Sequence, residues 1–233
     1  RDFNHPSNLK DLIKTVLADT DIVRLRLSSL EPWDLDEGSF ELWENPRLCR
    51  HLHLSLQSGC DRTLERMRRR GDTHAYRNVV KAARQVSPLI AITTDIIVGF
   101  PGENENDFME SCKFIQEMEF ASGHVFTFSP RQHTPAYSFA DQVYPAEKKL
   151  RSKVVKELFN LSQQRYSEQF VDQSLQVLWE RSKTSDDGIW QLSGLSDNYL
   201  RIRSESKSNL WNQISVVKLN HSDNSGMHGL IIY

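Results

Sequence analysis

Ile92-Thr93-Thr94-Asp95-Ile96-Ile97-Val98, followed at once by Gly99-Phe100-Pro101-Gly102-Glu103, decides how this chain is to be read. The β-branched run predicts a strand buried on both faces, the habit of parallel sheets. Pro101 cannot extend a ladder, and the two glycines permit a tight turn with a bare backbone. A helix is predicted to follow directly. Asn104 can cap it, and Asp107 three residues later completes a capping-box spacing. Phe108, Cys112, Ile115 and Met118 then form one apolar stripe. A glycine-rich turn at the carboxyl end of a parallel strand is where such sheets hold small molecules. An ordinary βα turn carries the same residues, so both readings stand at this point.

Outward from that stretch the same grammar repeats. Leu9, Leu12, Ile13, Val16 and Leu17 predict a short amphipathic helix, and Ile22 to Ser28 alternates as a strand. His51 to Leu56 predicts a second strand, Thr63 to Arg70 a helix, and Thr73 the start of another bearing Tyr76, Val79, Val80 and Ala83. His124 to Phe128 predicts a fourth strand. A proline-bearing loop then leads to Pro145, which suits the first turn of a long helix. Four strands separated by helices imply βα units on a parallel sheet that curves or closes like a barrel. After about residue 172 short strands crowd together, with turns at Asp186-Asp187-Gly188 and Asp197-Asn198, and predict a small antiparallel barrel.

Composition sets limits. The 233 residues are 38% hydrophobic with a net charge of −2, so any nucleic-acid contact must rest on a local patch. No segment approaches the length of a membrane span, and the polar opening Arg1-Asp2-Phe3-Asn4 is not a signal peptide. Three widely spaced cysteines, Cys49, Cys60 and Cys112, form neither a disulfide framework nor a metal motif, and a reducing cytoplasm is the expected compartment.

Four ordered motifs carry a resemblance. They are Arg26-Leu27-Ser28-Ser29-Leu30-Glu31-Pro32; His51 to Asp61 with Met67-Arg68-Arg69-Arg70; Thr93 to Glu103; and Ser129-Pro130-Arg131 with Thr134-Pro135-Ala136. Together they resemble the radical S-adenosylmethionine (SAM) methylthiotransferases over nearly the whole chain. The tail resembles the RNA-binding TRAM barrel that ends those enzymes. The segment from His51 is most similar to the branch acting on N6-threonylcarbamoyladenosine beside the tRNA anticodon. The implied fold is α/β: the last four units of a six-unit (β/α) radical SAM barrel at 1–171, then a TRAM-like β-barrel at 172–233.

The resemblance implies a parent enzyme with SAM, two 4Fe-4S clusters and a tRNA anticodon loop as partner. There, a 5′-deoxyadenosyl radical abstracts hydrogen and a methylthio group enters C2 of the adenine. The family's Cys-x3-Cys-x2-Cys loop is not in this sequence, and the three cysteines do not replace it. The chain is therefore expected to be a carboxyl-terminal portion that cannot cleave SAM by itself. The resemblance places Ser28, Glu31, Gln57, Ser58, Val98, Gly99, Phe100, Pro101, Ser129 and Arg131 at the cofactor, with no catalytic residue or metal ligand assigned. An apolar strand end with bare backbone suits a flat base, Gln57 and Ser58 offer partners to hydroxyls, and Arg131 can hold a carboxylate or phosphate. Gln57 and Ser58 serve equally well as turn residues, and Glu31 can simply pair with Arg26.

For RNA, Arg66, Arg69 and Arg70 crowd one helix and its end, where they can meet phosphates or complement the helix dipole. In the tail, Tyr199, Arg201 and Arg203 are predicted on one face of one strand, suited to a stacked base and its backbone. His51, His53 and His124 read as hydrogen-bonded sheet residues. Two other functions remain open: methylthiolation of a ribosomal-protein aspartate, and non-catalytic RNA binding.

Overall fold

The computed structural model describes residues 8–223 and 226–232, with the side chain of Glu37 set aside. The chain divides into two compact units, Arg1–Asn160 and Leu161–Tyr233.

In the first unit, α1 (Leu9–Asp19) precedes β1 (His51–His53), α2 (Asp61–Arg66), α3 (Thr73–Val86), β2 (Ala91–Val98), α4 (Glu105–Met118), β3 (Ser122–Thr127) and the first part of α5 (Pro145–Glu168). The strands form a parallel sheet in the order β1-β2-β3. Period-two alternation gives it two unlike faces. Leu52, Leu54, Ile92, Ile96 and Val98 enter one core with Tyr76, Val80 and Ala83 of α3 and Cys112, Ile115 and Met118 of α4. Tyr76 anchors that contact by donating to the Leu54 carbonyl at 3.0 Å.

Local chemistry sets the helix starts. Asn8 and Asp11 form a reciprocal capping box on α1, and Asn104 and Asp107 form the predicted one on α4. The helix predicted from Thr73 is capped instead by Asp72, whose side chain accepts from the Ala75 N–H at 2.7 Å. The helix predicted over Thr63–Arg70 starts at Asp61 and ends at Arg66, with Arg68 in the left-handed region at φ 55°.

The strand predicted at Ile22–Ser28 does not form. That segment and the residues after it make two isolated parallel bridges, Leu25 to Leu48 and Leu30 to Leu54. Five steps on one side oppose six on the other, and only the two bridges pair. Ser29 turns at φ 56°, and Val23 is 65% exposed.

The second unit is a closed barrel of β4 (Ser174–Thr184), β5 (Trp190–Ser196), β6 (Arg201–Ser206), β7 (Ile214–Asp223) and β8 (Gly226–Ile232), in the order β4-β5-β6-β8-β7. Its pairs are antiparallel except β6 with β8, which is parallel. Val177, Trp179, Ile202, Val217 and Leu219 fill the interior, each fully buried. The Trp179 indole N–H donates to Ser215 at 3.1 Å, meeting its polar need from within the barrel wall. Among the described residues, no helix is long and apolar enough to cross a membrane.

Candidate functional site

Parallel strands bring their carboxyl ends to one edge of a sheet. Here the Ser55 N–H bonds Leu30 O, the Ile97 N–H bonds Gln57 O at 2.9 Å, and the Phe128 N–H bonds Val98 O at 2.9 Å. Those links set the segments ending at Glu31, Gln57, Val98 and Phe128 side by side. Gln57 and Ser58, Val98 to Pro101, and Ser129 and Arg131 thus lie at neighbouring strand ends, with Ser28 and Glu31 on either side of the Leu30 bridge.

The Gly99–Glu103 turn is clamped from beneath. Gly99 sits at φ 71°, and its N–H donates to both oxygens of Glu103, at 3.2 and 3.1 Å. Arg151 of α5 holds that carboxylate at 2.8 Å and also donates to the Glu103 carbonyl at 3.0 Å. Both side chains are nearly inaccessible, 6% for Arg151 and 5% for Glu103. Burial raises the Glu103 pKa, against the pull of the Gly99 amide and the Arg151 charge.

The turn is also covered from its sides. Arg66 reaches from α2 to the Pro101 carbonyl at 3.1 Å and to Asp141 at 3.2 Å, and a Cβ on Gly102 would fall on its guanidinium. Lys148 lies against Gly99 and donates to the Phe128 carbonyl at 3.0 Å, where burial lowers its pKa. Phe100 meets Phe128 and Phe139 edge-on at 5.1 and 6.3 Å. Val98, Gly99, Phe100 and Pro101 are accordingly buried by their own chain.

The other predicted residues divide. Ser28, Ser129 and Arg131 are exposed, and Gln57 is half-buried at φ 71°. Ser58 is buried, and its Oγ accepts from the Cys60 N–H at 3.2 Å at the start of α2. Glu31 pairs with Arg69, not with Arg26, and Arg69 also lies over the Trp33 ring at 5.1 Å. Arg70 is exposed. An apolar cavity of about 200 Å³ opens beside this group, bounded by Trp33, Leu56, Leu64, Arg69, Arg70 and Tyr76.

In the barrel, β6 begins at Arg201, so Tyr199 is not on the strand with Arg201 and Arg203. It stands in the preceding turn at φ 66°, 39% exposed. Ile202 points into the barrel, which turns Arg201 and Arg203 outward, and Arg201 pairs with Glu180 at 2.7 Å.

The sheet face away from the helices carries His51 and His53, hydrogen-bonded sheet residues as their sequence positions predict, together with Thr93, Asp95 and His124. Register places His53 beside Thr93 and Asp95 beside His124. His53 meets Asp95 at 3.2 Å through one ring nitrogen and Thr93 at 3.0 Å through the other. His51 meets the same threonine at 2.9 Å, and burial, with Arg26 and His53 nearby, pushes its pKa down to about 3. His124 is exposed with its ring 6.3 Å from that of His53. The clue in sequence was the polar alternate positions of an otherwise apolar parallel strand.

The cysteines do not fit an iron–sulfur cluster. Cys49, Cys60 and Cys112 are buried and form no disulfide. Burial raises the Cys60 thiol and pushes Cys112 up to about 11, the opposite of what a thiolate ligand needs. Among the described residues no three cysteines gather.

Comparison with known proteins gives this geometry a context. Residues 3–115 match the family model described as the Radical SAM superfamily. The threonylcarbamoyladenosine tRNA methylthiotransferase MtaB of Thermotoga maritima is 39% identical over 75% of this chain and 40% of its own length. The tRNA-2-methylthio-N(6)-dimethylallyladenosine synthase of Clostridium tetani is 36% identical over 84% of this chain and 43% of its own. MtaB of Bacillus subtilis is 30% identical over 94% and 48%. The chain thus spans less than half the length of these relatives. In fold it is similar to coproporphyrinogen III oxidase (HemN) from Escherichia coli, a radical SAM enzyme, with a TM-score of 0.54 at 15% identity, over 65% of this chain and 36% of that one.

Proposed function

We propose that this chain, which matches the radical SAM model over residues 3–115 and is 30–39% identical to tRNA methylthiotransferases, is the part of such an enzyme that seats SAM and presents an anticodon-loop adenosine to it. The target is C2 of N6-threonylcarbamoyladenosine. The observation that carries this reading is the parallel register that aligns three strand ends, and the bridged segment at Leu30, beside a clamped Gly-Phe-Pro-Gly turn. The threonylcarbamoyl branch is favoured by the segment from His51 to Asp61. The 36% identity to the dimethylallyladenosine synthase supports a second reading, in which that nucleoside is the target.

In this reading the backbone of Val98 to Pro101 lies along the adenine, since its side chains are engaged elsewhere. Gln57, Ser28 and Ser129 bond hydroxyls, with Ser58 fixing the turn behind Gln57, and Arg131 pairs with the methionyl carboxylate. Glu31 orients Arg69 at the rim. When bound, SAM supplies the adenosyl group that activates the target carbon. The cluster needed for that step has no ligands among these cysteines, so the chain alone is inactive. The anticodon loop is met by Arg66, Arg69 and Arg70, and in the barrel, read as a TRAM-like RNA-binding domain, by Tyr199, Arg201 and Arg203.

Nucleoside mass spectrometry of tRNA from cells lacking the encoding gene tests the assignment. Loss of 2-methylthio-N6-threonylcarbamoyladenosine, with its unmodified precursor accumulating, is expected. Loss of the dimethylallyl counterpart selects the second reading, and unchanged levels of both contradict either. The chain alone, after iron and sulfide reconstitution, is expected to yield no 5′-deoxyadenosine from SAM, and its formation would contradict the claim of inactivity.

A further inference from the structure

We propose that the β7–β8 hairpin of the barrel carries a surface site for one divalent transition-metal ion of the zinc class, built from His221, Asp223 and His228. The three residues offer ligand atoms that all lie within 4.8 Å of one another. Neither the SAM reading nor the RNA reading uses any of them.

A break in strand register creates the cluster. Leu219 pairs with Gly229, but the next pair is His221 with His228, so Asn220 is an extra residue in β7. Leu219 is fully buried inside the barrel. In an unbroken strand, a residue two positions on would face the same way. The bulge reverses the phase, one of the recognised uses of bulges, and turns His221 outward beside His228. On β8 the neighbour Met227 points inward at 1% exposure, which leaves His228 on the outer face. Asp223, two residues beyond His221, shares that face.

The two imidazoles lie parallel, 4.7 Å between centroids and 2° between planes. His228 Nε2 meets an Asp223 oxygen at 3.1 Å. Zinc takes imidazole nitrogen and carboxylate oxygen at about 2.0–2.2 Å in tetrahedral sites. Side-chain rotation alone can close the remaining gap, because the two strands already hold the backbones opposite each other and His221 and Asp223 are exposed. The ion replaces the hydrogen bond between His228 and Asp223, and water completes the fourth position. Two imidazoles with one carboxylate favour zinc, nickel or copper over magnesium or calcium, which require oxygen. Arg203 lies in register with His228 on the neighbouring β6, and its positive charge limits affinity.

Titration of the full chain, purified without a histidine tag and stripped with chelator, decides the matter. Calorimetry with zinc chloride is paired with visible absorbance under cobalt chloride. One equivalent should bind, with a cobalt d–d spectrum that zinc bleaches. His221→Ala and His228→Ala should each weaken binding at least about tenfold. His74→Ala, an exposed histidine on α3, should leave it unchanged. Circular dichroism establishes that each variant is folded, and Asp223→Asn, which keeps the shape of the side chain, should weaken binding in the same direction. Absence of stoichiometric binding, or binding indifferent to His221→Ala and His228→Ala, overturns the proposal.

Discussion

At the scale of residues, the pair that matters most is Glu103 with Arg151. Each is almost wholly buried, and each would be a costly charge without the other. A buried ion pair adds little net stability, but removing one partner strands the other. Arg151→Ala is therefore expected to cost about 3–5 kcal/mol in urea unfolding. Adding Glu103→Gln should restore part of that loss, because the stranded charge goes with it. If the double variant is less stable than Arg151→Ala alone, the ion pair is not what holds this turn. This partnership was not legible in the sequence, because the two residues are 48 positions apart. By contrast, the capping box of Asn104 and Asp107 was legible, since all its atoms lie within four consecutive residues.

At the scale of elements, the Gly99–Glu103 turn shows what a motif does and does not reveal. The strand, the turn and the helix were readable from alternation, glycine and capping chemistry, each of them local. What covers the turn was not, since Arg66, Asp141 and Lys148 arrive from distant elements. Gly99→Ala combines a left-handed backbone with a Cβ placed 2.4 Å from Lys148 Cγ. A thermal or urea melt is expected to show a loss on the order of 1–3 kcal/mol. A neutral outcome would mean that the turn relaxes freely and is not clamped. The strand misread at Ile22–Ser28 has a similar origin. Its alternation is real, but a strand also needs a partner along its length, and this segment meets one only at isolated bridges. The placement of Tyr199 outside β6 and the bulge at Asn220 were invisible for the same reason.

At the scale of the whole molecule, the two fold types, α/β then a small barrel, were legible from the change in strand spacing. The α/β sheet and the closed five-stranded barrel agree with that reading. The polar sheet face of His51, His53, Thr93, Asp95 and His124 was not legible as a surface, because it exists only once three strands are in register. The central claim is that the aligned strand ends form the seat of SAM. Photocrosslinking an 8-azidoadenosyl analogue of SAM to the full-length holoenzyme, followed by peptide mass spectrometry, tests it most directly. The account predicts label on the peptides carrying Gln57 and Val98–Pro101, suppressed by excess SAM. Label that SAM suppresses but that lies wholly outside the strand ends would contradict it.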